Sequence, residues 1–229
     1  MNPCDQVVLV GLGGIGSHVA EPLARYMSTQ PELPKLVLVD GDAYTRSNQS
    51  RQRADEHELG TNKALVHARR LSALFPALSI STCESYLDER NVRSHILENS
   101  CVLSCVDNHA TRKVLSDALI ALRDGTLLSA GNDLVDGNVQ VFIRRRGRNV
   151  TPPLDKYHEE IRYPQDVNPA SLSCEQLARQ PRSAQVLMAN FTAAALLLNA
   201  YYAICSREIE YAEVYFDIVK NAANPRPRL

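Results

Sequence analysis

Three glycines, Gly11, Gly13 and Gly16, interrupt the apolar run "VVLVGLGGIGS" at the spacing of a G-x-G-x-x-G turn. In such a turn the first glycine makes the bend, the second lets backbone approach a phosphate, and the third lets the following helix pack closely on the strand. Asp40 ends the next apolar run, where this kind of fold places the carboxylate that accepts hydrogen bonds from ribose hydroxyls. These features suit NAD and ATP equally. The polar segment "VDGDAYTRSNQSRQRADEHELGTNKA" favours ATP, because it leads Asp42, Asn48, Arg51, Gln52 and Lys63 out of the same crevice. Hydride transfer needs a dry apolar floor for a nicotinamide, whereas chemistry at a triphosphate needs cations that neutralise charge growing on phosphate oxygens. Arg51 and Lys63 are where those cations would come from.

Asp107 closes a later apolar run, "CVLSCVDNHATR", at the carboxyl edge where open α/β sheets bind ligands. A carboxylate there suits Mg²⁺ shared with a nucleotide's phosphates. It reads equally well as a side-chain cap for the helix that follows from Thr111.

The elements that must position these residues are legible as alternation. "QVVLVG" precedes a helix to about Met27, "KLVLVD" precedes a helix from Lys63 to Phe75, and "LSISTC" precedes a short helix near 92–97. "CVLSCVD" then precedes a helix from Thr111 to Leu122. Near-continuous apolar strands alternating with helices predict a doubly wound α/β fold, a mostly parallel Rossmann-like sheet covered on both faces. "TLLSAGND" and "NVQVFIRR" follow without a helix between them, which predicts an antiparallel C-terminal edge. A long crossover loop over 144–173, a buried helix over 183–206, a last strand at "YAEVYFDIV" and a frayed tail "NPRPRL" complete the reading. The basic run Arg144, Arg145, Arg146 and Arg148 reads as a solvated strand end.

At 229 residues and 45% hydrophobic side chains the chain can bury a sizeable core and reads as one domain spanning 1–229. Twenty-five basic and 26 acidic side chains give a net charge of −1, so no global field recruits nucleic acid or an anionic membrane. The six cysteines are scattered, with no second close pair to join Cys101 and Cys105, so no structural zinc is expected and buried free thiols are. With no secretory signal pattern at the start, the expected compartment is the cytoplasm. The apolar stretch at 186–205 is long enough to cross a bilayer, but Asn190, Thr192 and Asn199 favour a core helix.

Together these pieces resemble the ThiF and MoeB superfamily, the ubiquitin-activating-like adenylyltransferases. The resemblance rests on "GLGGIGS", "VDGDAYTRSNQSRQ", the lysine of "GTNKALVHARRL" and "CVDNHATR", in order, over about the first 140 residues. It implies that Gly11, Gly13, Gly14 and Gly16 line ATP phosphates and that Asp40 holds the ribose. Asp42, Asn48, Gln52 and Asn108 would complete the nucleotide site, with Arg51 and Lys63 as catalytic cations and Asp107 as Mg²⁺ ligand. It also implies a homodimer and a partner protein of the ubiquitin-like or sulfur-carrier kind ending in Gly-Gly, whose carboxylate is adenylated. The family's paired zinc cysteines are missing, as is the N-terminal helix whose arginine reaches a partner subunit; either Arg46, Arg53 or another basic residue would then substitute, or activity would be weak. Cys174, before a helical segment, would be either a nucleophile that takes the carrier or a packing thiol. Two other readings remain at this point, a non-catalytic scaffold of the same shape and an NAD-dependent oxidoreductase.

Overall fold

Five residues, Gln6–Val10 (β1), run through the middle of the molecule with every side chain buried, and everything around the site is built outward from them. The computed structural model describes residues 4–49, 52, 54–173, 176–177, 187–206 and 209–227. After β1 come Gly16–Met27 (α1), Lys35–Val39 (β2), Lys63–Leu74 (α2), Ile80–Cys83 (β3), Val92–His95 (α3), Ser100–Ser104 (β4) and His109–Ile120 (α4). Gly125–Asn132 (β5), Asp136–Arg145 (β6), Arg148–Asn149 (β7), Glu159–Arg162 (α5), Leu187–Ser206 (α6), Tyr211–Asp217 (β8) and Ala222–Pro227 (β9) follow.

All nine strands form one sheet in the order β3-β2-β1-β4-β5-β6-β8-β9, with β7 paired to β6. The first five are parallel and the later pairings antiparallel. The chain winds from β1 to β2 and β3 on one side, then returns to place β4 on the other, which opens a crevice at the carboxyl ends of β1 and β4.

Strand alternation divides the core between two faces. Val7, Leu9, Leu36, Leu38, Cys101, Leu103, Leu128 and Val141 point to one side, packed with α1, α2 and α6. Val8, Val10, Val37, Val39, Val102, Leu127 and Phe142 point to the other, with α3, α4, Leu154 and Ile161. Helix α6 is long and apolar enough to cross a membrane by length and composition. In the structure Ala189, Ala193, Leu197, Ala200 and Ile204 bury one of its sides, and the helix packs on β5, β6 and α1.

One expectation needs correction, that of the tail, and two others gain detail. The antiparallel C-terminal edge is present and three strands deep: β6 lies between β5 and β8, so Phe142 and Gln140 are buried along with Val139 and Val141. The tail is not frayed, since Ala222–Pro227 pairs antiparallel with β8. As the outermost strand, β9 can carry Pro225 and Pro227, whose missing N–H groups cost nothing where no further strand pairs. The crossover from 144 to 173 is a packed strap. Thr151 Oγ1 donates to the Val141 carbonyl at 2.6 Å and accepts from the Ile143 amide at 2.7 Å, and Leu154 and Ile161 are buried.

Candidate nucleotide and carboxylate site

Gly11 leaves β1 with φ +84°, a left-handed conformation that a side chain would strain, and its amide donates to the Val39 carbonyl at 2.9 Å. The turn closes so tightly that a Cβ on Gly16 would fall 1.8 Å from the Gly11 carbonyl oxygen. Gly13 faces the opposite situation: the nearest atom to a Cβ there is Gln52 Nε2, at 3.9 Å. The motif therefore uses Gly16 for helix-on-strand packing and Gly13 for open space, the division its spacing predicts. Helix α1 then starts with no side-chain cap and no acidic residue in its first turn.

The second loop is fastened to the first through Asp40. Its buried carboxylate accepts from the Leu12 amide at 2.6 Å and the Asp42 amide at 2.7 Å, while its own carbonyl accepts from Asn62 Nδ2. Burial pushes the Asp40 carboxyl up to about 6, and Lys63 opposes that shift. Lys63, only 4% exposed at the start of α2, places Nζ 3.0 Å from Asp42 Oδ2. Asn48 is buried too, its Oδ1 accepting from the Thr45 amide at 2.9 Å, so it shapes the loop as well as lining the crevice.

Across β1, the end of β4 presents Asp107, exposed and paired to no described residue, so the helix-cap reading of this carboxylate is wrong. The cap is Asn108, whose Oδ1 accepts from the Thr111 amide at 2.8 Å. The remaining first-turn amides of α4, those of His109 and Ala110, donate to Asp166 of the strap at 2.6 and 2.9 Å.

These groups surround one cavity of about 1200 Å³. Gly11, Gly13, Gly14, Asp40, Asp42, Asn48, Gln52, Lys63, Asp107 and Asn108 all line it. Arg51, Arg53 and Cys174 lie outside the described residues. Gln52 Oε1 is buried with no partner among the described residues, which marks a place for a donor from a ligand beside Gly13. The glycine cradle, the buried cation and this orphaned oxygen fit a nucleoside triphosphate.

Sequence reasoning missed three contributors. Tyr86 lays its ring over Gly41 and donates its hydroxyl to Asp42; nothing in its neighbourhood in the sequence signals this. His158 stands with Nδ1 2.8 Å from Glu160 and Nε2 3.0 Å from Glu213, which hold it more basic than an ordinary histidine, Glu213 foremost. Arg112, the last letter of "CVDNHATR", is 8% exposed and donates through Nε and Nη2 to the Val106 carbonyl at 3.3 and 3.1 Å. The far half of the cavity continues along the ends of β5, β6 and β8, past Gly131, Asn132, Asp136 and Tyr215.

The sequence profile of the ThiF family matches residues 4–206. The adenylyltransferase and sulfurtransferase MOCS3 of Drosophila ananassae is 34% identical over 144 residues, 62% of this chain and 31% of that protein. The sulfur carrier protein ThiS adenylyltransferase of Escherichia coli (strain K12) is 31% identical over 119 residues, 52% of this chain and 45% of its own length. The alignments thus span between about a third and a half of these two relatives. Among solved structures, E. coli MccB with succinimide superposes with a TM-score of 0.73 at 18% identity, covering 98% of this chain and 64% of that one. That likeness establishes the shared fold.

Proposed function

Since the chain belongs to the ThiF family, we propose that it is an adenylyltransferase that uses ATP to activate the C-terminal carboxylate of a ubiquitin-like or sulfur-carrier protein ending in Gly-Gly. The observation that carries this reading is the buried Lys63 ammonium set against Asp42 on the β2 side of a glycine cradle, with the unpaired Asp107 carboxylate facing it from β4.

In this reading the ribose hydroxyls meet Asp40, whose oxygens retain lone pairs beyond those given to the two amides. The triphosphate lies along the Gly11–Gly16 turn, with Lys63 and Arg51 on its oxygens. Asp107 would hold Mg²⁺, which would supply charge neutralisation to the phosphates. A carboxylate oxygen of the carrier attacks the α-phosphorus, the new carboxyl–phosphate bond forms as the α–β anhydride bond breaks, and pyrophosphate leaves with the electron pair. Lys63, itself buried and held by Asp42, lies preorganised, and a preorganised ammonium stabilises developing phosphate charge without reorganisation. That an E. coli MccB structure contains ATP, and that the curated relatives are adenylyltransferases, supports the same assignment. We also propose that the chain works as a cytoplasmic homodimer.

The test is ligand-dependent stabilisation followed by isotope exchange. Mg-ATP at 100 times its dissociation constant is expected to stabilise the fold by about 2.7 kcal/mol. Carrier proteins ending in Gly-Gly and encoded beside this chain's gene should then support ATP–pyrophosphate exchange. Stabilisation by NAD in place of Mg-ATP would overturn the proposal.

A further inference from the structure

Arg112 is a buried cation with no carboxylate in ion-pair contact among the described residues, although the charge of Asp107 acts on it from the same cavity wall. Its partners are backbone carbonyls, Val106 at the end of β4 and Ala130 in β5, the latter 3.4 Å from Nη2. The nearby Asp166 has both oxygens engaged by the α4 amides. The third guanidinium nitrogen, Nη1, donates to no described residue, and the side chain lines the cavity. A fork-shaped cation with one arm idle in a desolvated wall recognises an anion, and a planar carboxylate above all.

The place of Arg112 says which anion. The glycine turn, Asp40, Asp42 and Lys63 belong to the β1–β2 side of the crevice, whereas Arg112 spans the ends of β4 and β5 at the start of the cavity's far half. The floor beneath it is bare by necessity: a Cβ on Gly131 would lie 2.1 Å from Arg112 Nη2 and 2.9 Å from Nη1. Resting on the adenylation reading, we propose that Arg112 receives the C-terminal carboxylate of the carrier and holds it at the junction of the two halves, facing the α-phosphate. Gly131 keeps the guanidinium in that position.

The test uses a short neutral peptide ending in Gly-Gly, as the free acid and as the amide, titrated by calorimetry into the whole protein carrying Mg²⁺ and an ATP analogue with a methylene α,β-bridge. The wild type is expected to prefer the acid on the order of tenfold, the scale of one charged hydrogen-bonded contact. Arg112→Gln should bind acid and amide alike. Gly131→Ala should do the same, because its methyl displaces only the end of a flexible side chain and leaves the strand intact. Both variants should keep analogue affinity within about twofold. Acid preference that survives in both variants, or its absence in the wild type, would overturn the assignment; so would a loss of analogue binding in Arg112→Gln, which would make the anion a phosphate. A wild type that binds the acid peptide but no Mg-nucleotide would instead remove the adenylation reading and leave the carboxylate site standing.

Discussion

Lys63 Nζ lies 3.0 Å from Asp42 Oδ2, which ties the first residue of α2 to the loop after β2 and parks a buried ammonium beside the cavity. The carboxylate holds the cation in place at the cavity wall. Replacing Lys63 with Ala is expected to lower carrier-dependent pyrophosphate exchange on the order of 10²–10³-fold. Lys63→Arg should not rescue it, because a planar guanidinium fork spreads its charge and does not reproduce the compact ammonium held 3.0 Å from Asp42. Exchange rates at saturating Mg-ATP check both.

Asp107 is exposed and unpaired among the described residues, so its charge contributes little to the fold. Asp107→Asn should therefore leave the thermal midpoint where it is while exchange falls on the order of 10²–10³-fold and its Mg²⁺ dependence weakens. A lowered midpoint with normal exchange would make this carboxylate structural.

Two glycines of one motif should respond in opposite ways. In Gly16→Ala the new methyl meets backbone at 1.8 Å, so the thermal midpoint should fall by at least about 5 °C. In Gly13→Ala the methyl enters open space 3.9 Å from its nearest neighbour. Its midpoint should hold while Mg-ATP binding weakens on the order of tenfold. Melting curves with and without Mg-ATP separate the two.

His67 lies buried behind Lys63 with Nε2 3.0 Å from the Tyr44 hydroxyl, and burial lowers its pKa to about 4. From pH 6.5 down to about 4 the unfolded chain therefore takes a proton that the folded chain refuses. The stability His67 provides is whole above pH 6.5 and drains away across that window. Relative to His67→Gln, the wild type should lose about 2 kcal/mol between pH 7 and pH 5. Taking the difference between the two proteins cancels the opposing titration of Asp40, and urea unfolding at the two pH values measures it.

The nucleotide half of the site was legible because its residues sit on short segments next to strong strand and helix patterns. "VVLVGLGGIGS" encodes its own turn, and Lys63 follows directly on Asn62, whose side chain caps α2. The far half was not legible, because its members meet only through sheet order. Arg112 reads as one more polar residue on an amphipathic helix until β5 brings Gly131 beneath it. Asp166 sits in a polar, proline-rich strap with no periodicity, and only the finished fold lays it on the first turn of α4. The strand at Ala222–Pro227 has a composition that argues against a strand, and it forms because β8 offers a row of unpaired backbone groups.

Of the helices that begin at the crevice, α1 and α4 are treated differently. The one at His109 is already stoppered by Asp166, an internal anion that uses up its positive pole. The one at Gly16 is left without a stopper. Under the adenylation reading, of these two ends an incoming polyanion finds only the α1 end without an internal anion and is oriented before any contact with a base, its charged end toward the glycine turn and the β5 side left for the other reactant. Removing the stopper, as in Asp166→Ala, would create two competing poles and let the same guest settle in two directions.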